Sequence, residues 1–244
     1  MNSTTIDKIT LINQKFYSVN AVTFEKTRLR SWLGWNQLLP LIEPNKSIRA
    51  VDIGCGNGRW LSFLHDKALP IESAVGIDLD LYMLDQAKRT FPDTNKFRFY
   101  QGDCVRNLDG CKNHFGDTNL ITSFGLWHHI PSQQLRFDNL VTLLHCLVKG
   151  GILIINFWQF ADNRYFVNKL IRPGEICDTL DLPLNEFEPG DYFLGNKETD
   201  TIRYCHSYSD EEVNSIATQL GVRYQLVKGE GNDQLNSYLL LYAD

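Results

Sequence analysis

The segment Ala50-Val51-Asp52-Ile53-Gly54-Cys55-Gly56-Asn57-Gly58 restricts the possible folds more than any other: an apolar, strand-forming run ends in three alternating glycines, and an amphipathic stretch follows. Glycine has no Cβ and reaches positive φ, so such a loop lets backbone lie against a ligand while the next helix presents its first N–H groups to it. Twenty residues beyond Gly58 a second apolar run, Val75-Gly76-Ile77-Asp78, ends in a carboxylate that can accept both hydroxyl protons of a ribose. A tight turn with no ligand would account for a lone glycine loop; the acid that closes the next strand points to a nucleoside-containing cofactor.

The text around this segment alternates short apolar runs with amphipathic stretches, the pattern of β-α units around a mostly parallel sheet. Strands are expected near 48–53, 73–78, 97–101, 119–124 and 151–158, with helices near 58–68, 81–90 and 132–148, the last carrying Leu140, Leu143, Leu144 and Leu147 at helical spacing. Ser209 and Glu212 have capping-box spacing ahead of Val213, Ile216 and Leu220. Two apolar runs, Val222 to Val227 and Tyr238 to Leu241, then flank Gly229-Glu230-Gly231-Asn232-Asp233 and predict a terminal antiparallel hairpin. Residues 5–42 read as helical with breaks, anchored by Phe16, Tyr17, Phe24, Trp32 and Trp35. Residues 160–208, with Pro173, Pro183 and Pro189, read as an irregular insertion over the sheet's carboxyl edge. The expected division is a helical cap over 1–47 and a cofactor-binding domain over 48–244 that holds this insertion.

Charge limits the partners. The net charge is -5, which disfavours a generic nucleic-acid binder that relies on many phosphate contacts. Locally, residues 1–30 carry a net +3, whereas residues 174–200 carry eight acids against Lys197 alone. An anionic polymer would therefore face the first segment and avoid the second. Six cysteines without a C-x-x-C pair read as free thiols, and no metal is expected, because no H-x-x-x-H, paired-cysteine or clustered-carboxylate spacing occurs. No apolar run approaches the ~20 residues of a membrane helix, and the first residues lack a secretory pattern, so the expected address is the cytoplasm, away from membranes.

A dinucleotide-binding loop would read G-x-G-x-x-G. Here it reads G-x-G-x-G, with Arg59 next and Asp52 two positions before the first glycine, and this spacing resembles the class I S-adenosylmethionine-dependent methyltransferases. Gln101-Gly102-Asp103-Cys104 resembles that family's segment after the third strand. Leu147-Val148-Lys149-Gly150-Gly151 resembles its L-x-P-G-G turn, with Lys149 in place of proline, and Asn119 stands where relatives often have Asp. The resemblance implies a Rossmann-like fold with a seven-stranded, mostly parallel sheet and S-adenosyl-L-methionine as cofactor. It sets Gly54, Gly56 and Gly58 against methionine and ribose, Asp78 on the ribose, and Asp103 with Cys104 at the adenine. It also includes Asp52, Cys55, Leu79 and Ser123 among the cofactor-binding positions.

The flanks bear on the methyl acceptor. Phe24-Glu25-Lys26-Thr27-Arg28-Leu29-Arg30-Ser31-Trp32 resembles the F-x-x-T-R-x-x-P-W signature of the tRNA methyltransferases that esterify 5-carboxymethyluridine at the wobble position, with Ser31 replacing proline. Ser123-Phe124-Gly125-Leu126-Trp127-His128-His129-Ile130 resembles their I-H-H-L segment, a His-His pair that is widespread across methyltransferases, and Arg203-Tyr204-Cys205-His206-Ser207-Tyr208 resembles their R-Y-Y-H-x-F segment. By that resemblance Arg28 or Arg203 would hold a carboxylate, Tyr204 or Trp32 would stack on a flipped base, and His129 and His206 would donate to acceptor or ribose; one of Arg28 and Arg30 would instead hold the cofactor's carboxylate. Against this, arginines on a helix are commonly solvated, tryptophans commonly pack, and a histidine at a strand end commonly bonds backbone. The implied partners are tRNA and, from eukaryotic relatives, a small activator subunit, which no residue here marks. Two alternatives stay open: a methyltransferase for a small metabolite, and a non-catalytic cofactor-binding subunit.

Overall fold

The computed structural model describes residues 1–27, 30–42, 47–92 and 95–243, with the backbone alone at 24–27. Five parallel strands follow the order of the sequence pattern: β1 (Ile48–Ile53), β2 (Ile71–Asp78), β3 (Phe97–Gln101), β4 (Thr118–Ser123) and β5 (Leu147–Trp158). A small sheet, β6 (Leu170–Ile171), β7 (Asp191–Asn196) and β8 (Thr201–His206), comes next, and the chain ends in the expected hairpin of β9 (Tyr224–Lys228) and β10 (Asn236–Tyr242). The main sheet has the order β3-β2-β1-β4-β5-β10-β9, with β10 antiparallel to both neighbours. The strand order reverses direction between β1 and β4, and a crevice opens at the carboxyl ends of strands at such a switch point.

The helices are α1 (Ser3–Thr27), α2 (Trp35–Leu38), α3 (Arg59–Asp66), α4 (Leu81–Thr90), α5 (Leu108–Cys111), α6 (Gln133–His145), α7 (Pro173–Leu180) and α8 (Asp210–Leu220). Each face of the sheet has its own apolar layer, one with Trp35, Trp60 and Phe63, the other with Trp127, Leu140, Leu143 and Ile216. The Ser209 hydroxyl accepts the Glu212 N–H and starts α8, as the capping spacing predicts.

Two elements differ from expectation. The helix expected through 148 stops at His145, and Leu147 is already in β5, paired with Thr118. Here Gly150, at φ 76°, turns its N–H to Ala243 O at 2.7 Å, so the backbone at 147–151 bonds to neighbouring strands rather than closing a helical turn. The second difference is the insertion, which is an ordered antiparallel sheet buried on both sides. Phe193 and Tyr204 pack with Ile9 of α1, whereas Leu194 and Cys205 pack with Phe160. With apolar residues on both faces, β7 and β8 lack the alternation that marks a half-exposed strand.

Helix α1 is fixed to β8 by polar as well as apolar contacts. Asn13 accepts the Tyr204 N–H at 2.7 Å, and Asn20 donates to Thr201 Oγ1 at 3.0 Å. Ile9, Asn13, Phe16 and Asn20 recur at helical spacing and are buried. Helix and small sheet together thus wall the carboxyl end of the main sheet.

Candidate active site

A cavity of about 330 Å³ lies at the carboxyl ends of β1, β2 and β4, and α1 contributes Asn13, Gln14 and Tyr17 to its wall. The glycine loop is the floor. Gly54, Gly56 and Gly58 have φ of 70°, 54° and 76°, the left-handed region that disfavours any side chain. A Cβ built on Gly56 would project into open space, so bare backbone faces the cavity there. Asp78, at the end of β2, accepts the Gly56 N–H at 2.7 Å through one oxygen and the Asp80 N–H at 2.9 Å through the other. It therefore positions the loop as well as offering a carboxylate to the cavity.

Of the residues singled out for the cofactor, Gly54, Gly56, Asp78, Leu79, Asp103 and Cys104 line this cavity. Asp103 is held by the Val105 and Arg106 N–H groups and by Arg106 Nε at 2.7 Å. Asp52, Cys55, Gly58 and Ser123 lie outside the lining. Asp52 is 2% exposed and accepts the Thr122 hydroxyl at 2.8 Å. Burial pushes its carboxyl up to about 7, against the pull of the Thr122 bond, and the negative Asp78 adds to the rise. The Cys55 thiol is likewise pushed up by burial. Gly58 caps α3, and Ser123 donates to Ile53 O at 3.0 Å. These four support the floor from below. All six cysteines are free thiols.

On the opposite wall a hydrogen-bonded chain joins three distant segments. His129, in a short turn after β4, places Nδ1 2.9 Å from Tyr204 O, which makes that nitrogen the donor. Its Nε2 then accepts the Tyr17 hydroxyl at 2.5 Å, and the same hydroxyl accepts Arg203 Nη1 at 2.8 Å. The Arg203 guanidinium sits among aromatic rings, 5.0 Å from the Phe16 centroid and 5.7 Å from that of Trp158. Tyr17 and His129 line the cavity; Arg203 reaches it through Tyr17. In the sequence Tyr17 reads as an apolar anchor, and its spacing from Phe16 and Asn20 on one helix is the available signal.

Arg28 lies outside the described residues. Tyr204 and His206, expected beside the acceptor, are placed elsewhere by the fold. Both are buried and bond Asp191, the Tyr204 hydroxyl at 2.6 Å and His206 Nδ1 at 2.7 Å. His206 Nε2 meets Glu212 at 3.0 Å, and Arg136, 1% exposed, bonds Glu188 at 2.7 Å. Burial opposes charge on His206, but the bonds to Asp191 and Glu212 outweigh it and raise its pKa. This network fastens the small sheet to α6 and α8. Trp32 packs against Trp35, with centroids 5.3 Å apart and the Arg59 guanidinium at 5.1 Å, so it belongs to the apolar layer.

The fold also assembles clusters of ligand-type atoms that linear spacing conceals: His128, His129 and Cys205, and Glu188, Asp191 and His206. In the second, Arg136, Tyr204 and Glu212 already supply partners. Among the described residues, no helix is long and apolar enough to cross a membrane.

A glycine floor with open space above it, an acid at the end of the second strand and an apolar slot of Leu79, Met83 and Val105 suit a nucleoside whose other end carries a short charged chain. S-adenosylmethionine has those parts. Sheet order and floor together give the chain the fold of the class I S-adenosylmethionine-dependent methyltransferases.

Residues 50–151 match a family model described as a methyltransferase domain. Among curated proteins, the chain is 24% identical over 153 residues to "Putative methyltransferase 235L" of Invertebrate iridescent virus 6, covering 61% of this chain and 57% of the relative. It is 30% identical over 161 residues to a "tRNA U34 carboxymethyltransferase" of Pseudomonas savastanoi, covering 63% of this chain and 42% of that protein. It is 27% identical to the mouse "tRNA (carboxymethyluridine(34)-5-O)-methyltransferase ALKBH8", covering 65% of this chain and 22% of that protein. The chain thus spans less than two thirds of the length of each of these relatives. Among solved structures, an S-adenosylmethionine-dependent methyltransferase from Clostridium acetobutylicum aligns over 94% of this chain and 98% of its own, with TM-score 0.62 and 15% identity. The amino pentose methyltransferase CalS10 of Micromonospora echinaspora, solved with S-adenosylmethionine bound, aligns over 92% and 96% with TM-score 0.59 at 15% identity. At such identity these two structures speak for the fold.

Proposed function

We propose that the chain transfers a methyl group from S-adenosylmethionine to the carboxylate of 5-carboxymethyluridine in tRNA, forming the methyl ester. The observation that carries this reading is the Arg203–Tyr17–His129 chain on the wall facing the glycine floor, built from segments that flank the cofactor domain on both sides. The bound cofactor would supply an electrophilic methyl on a sulfonium. A carboxyl group titrates near pH 4, so the nucleophile is already ionised at neutral pH and no general base is required. The protein's task is orientation, because an in-line displacement gains most from holding its partners at near-attack geometry. Arg203 is shielded by Phe16, Tyr17 and Trp158, and its charge stands one hydroxyl behind the cavity wall. An acceptor carboxylate is attracted by that weakly screened charge; the neutral ester is not, which favours release.

The names of the relatives support a tRNA wobble uridine and differ in the group moved, a carboxymethyl in one case and a methyl in the other. The test is incubation with isotopically labelled cofactor and tRNA carrying 5-carboxymethyluridine, followed by digestion and mass analysis of nucleosides. The methyl ester is expected. Its absence at saturating cofactor rejects the reading, and a carboxymethyl gained by unmodified uridine would favour the other reaction. The acidic 174–200 segment favours a second reading, a small metabolite carboxylate as acceptor. Turnover of such an acid that survives replacement of Lys26, Arg28 and Arg203 by Ala would support it.

A further inference from the structure

We propose that residues 163–174 are a docking site for the single-stranded RNA flanking the acceptor nucleotide, with Tyr165 as a stacking ring and Arg164, Lys169 and Arg172 as phosphate contacts. The inference rests on the reading that the acceptor is a nucleotide in RNA. Within an otherwise acidic insertion, this stretch holds three cations and no acid. All three side chains are exposed, and none forms an ion pair among the described residues. Tyr165 is 67% exposed, and Lys169 Nζ stands 3.3 Å from its ring centroid, so an aromatic face and a cation are presented together. Protein grooves for single strands combine these two elements, stacking for the bases and charge for the backbone.

The exposed ring is not a loose tip. Its neighbour Phe166 meets it edge-on at 5.0 Å and is wedged against Trp158 at 5.0 Å and Phe160 at 5.9 Å. Trp158 continues to His128 at 4.9 Å, and His128 to His129 at 4.1 Å. No step exceeds 5.0 Å, so four steps bring Tyr165 within about 20 Å of a residue on the cavity wall, the reach of a few nucleotides of strand. This continuity favours RNA over a membrane surface as the occupant: a nucleotide held in the cavity would lead its neighbours along the aromatic row towards the cations.

The test is fluorescence anisotropy on the full chain with a labelled RNA hairpin that carries an open loop. Tyr165→Ala should weaken binding about 10-fold, and Tyr165→Phe should retain it, because the stacking face survives. Replacing Arg164, Lys169 and Arg172 by Gln should lower the slope of log affinity against log salt by about 2, three contacts at ~0.7 each for a single strand. Calorimetric binding of S-adenosylhomocysteine should be unchanged in all variants and reports that they are folded. Wild-type hairpin affinity in the variants overturns the docking site. So does loss of binding to phosphatidylserine-containing vesicles with RNA affinity intact, which marks a membrane surface. If the wild type methylates tRNA while the variants bind as it does, only the docking site fails. If the wild type neither binds the hairpin nor esterifies 5-carboxymethyluridine, the acceptor reading fails and the docking site with it.

Discussion

Replacing Asp52 by asparagine tests how the glycine floor is supported. Its carboxyl is held at about 7 rather than at the ordinary 3.8, chiefly because burial penalises the charge. Between those values the folded chain keeps a proton that the unfolded chain has released. A raised carboxyl therefore contributes its full stability below pH 4, and this is lost as pH rises towards 7, with no further loss beyond. A gap of about 3 pH units, at 1.36 kcal/mol each, sets an upper bound of about 4 kcal/mol. The amide of Asp52→Asn would not titrate, and its oxygen can still accept the Thr122 hydroxyl. Urea unfolding of both proteins across pH 4 to 8 should thus show the stability difference moving in the variant's favour by up to about 4 kcal/mol and then levelling off. A difference that stays flat across this range, or moves the other way, would refute the claim that Asp52 is buried with its proton. Calorimetry adds a second reading: affinity for S-adenosylhomocysteine should hold, since Asp52 faces Thr122 and not the cavity. A loss of tenfold or more would place Asp52 in contact with the cofactor.

Asp78→Ala should weaken cofactor binding in the same calorimeter by about 1.5–3 kcal/mol for each bond lost to the carboxylate, and more if release of Gly56 disorders the floor. Tyr17→Phe removes the hydroxyl between Arg203 and His129; kcat/KM for the acceptor should fall about 10-fold or more while cofactor affinity is unchanged, as parallel turnover and binding assays can show. Arg136→Ala leaves Glu188 and Glu212 without their buried cation and should cost about 3–5 kcal/mol in urea unfolding. His206 has a raised pKa, so its contribution is complete below pH 6.5 and lost as pH climbs through the folded value; His206→Gln should flatten that part of the stability profile.

The cofactor half of the site was legible because each part is local. Positive φ at three alternating glycines can be read from the residues themselves, and Asp78 follows within one β-α unit. The wall proposed for the acceptor was not, because its parts are far apart: Tyr17 and Arg203 are 186 residues distant in sequence and meet only when α1 lies on β8. The R-Y-C-H run pointed to the right segment, but neither to a strand there nor to the direction of each side chain. Alternation along β8 sends Tyr204 and His206 into the Asp191 network and leaves Arg203 beside Tyr17. The small sheet itself was hidden, since burial on both faces removes the period that would have marked its strands.

The pairing of α1 with β8 also has a consequence during synthesis. Asn13 is made 191 residues before its partner Tyr204. At about 5–20 residues per second, the helix spends roughly 10 to 40 s outside the ribosome before the strand that covers it exists. Throughout that interval Ile9 and Phe16 are unshielded, so the growing polypeptide presents a greasy amphipathic helix to nascent-chain chaperones and gains the wall that α1 builds with β8 only once that strand has been made.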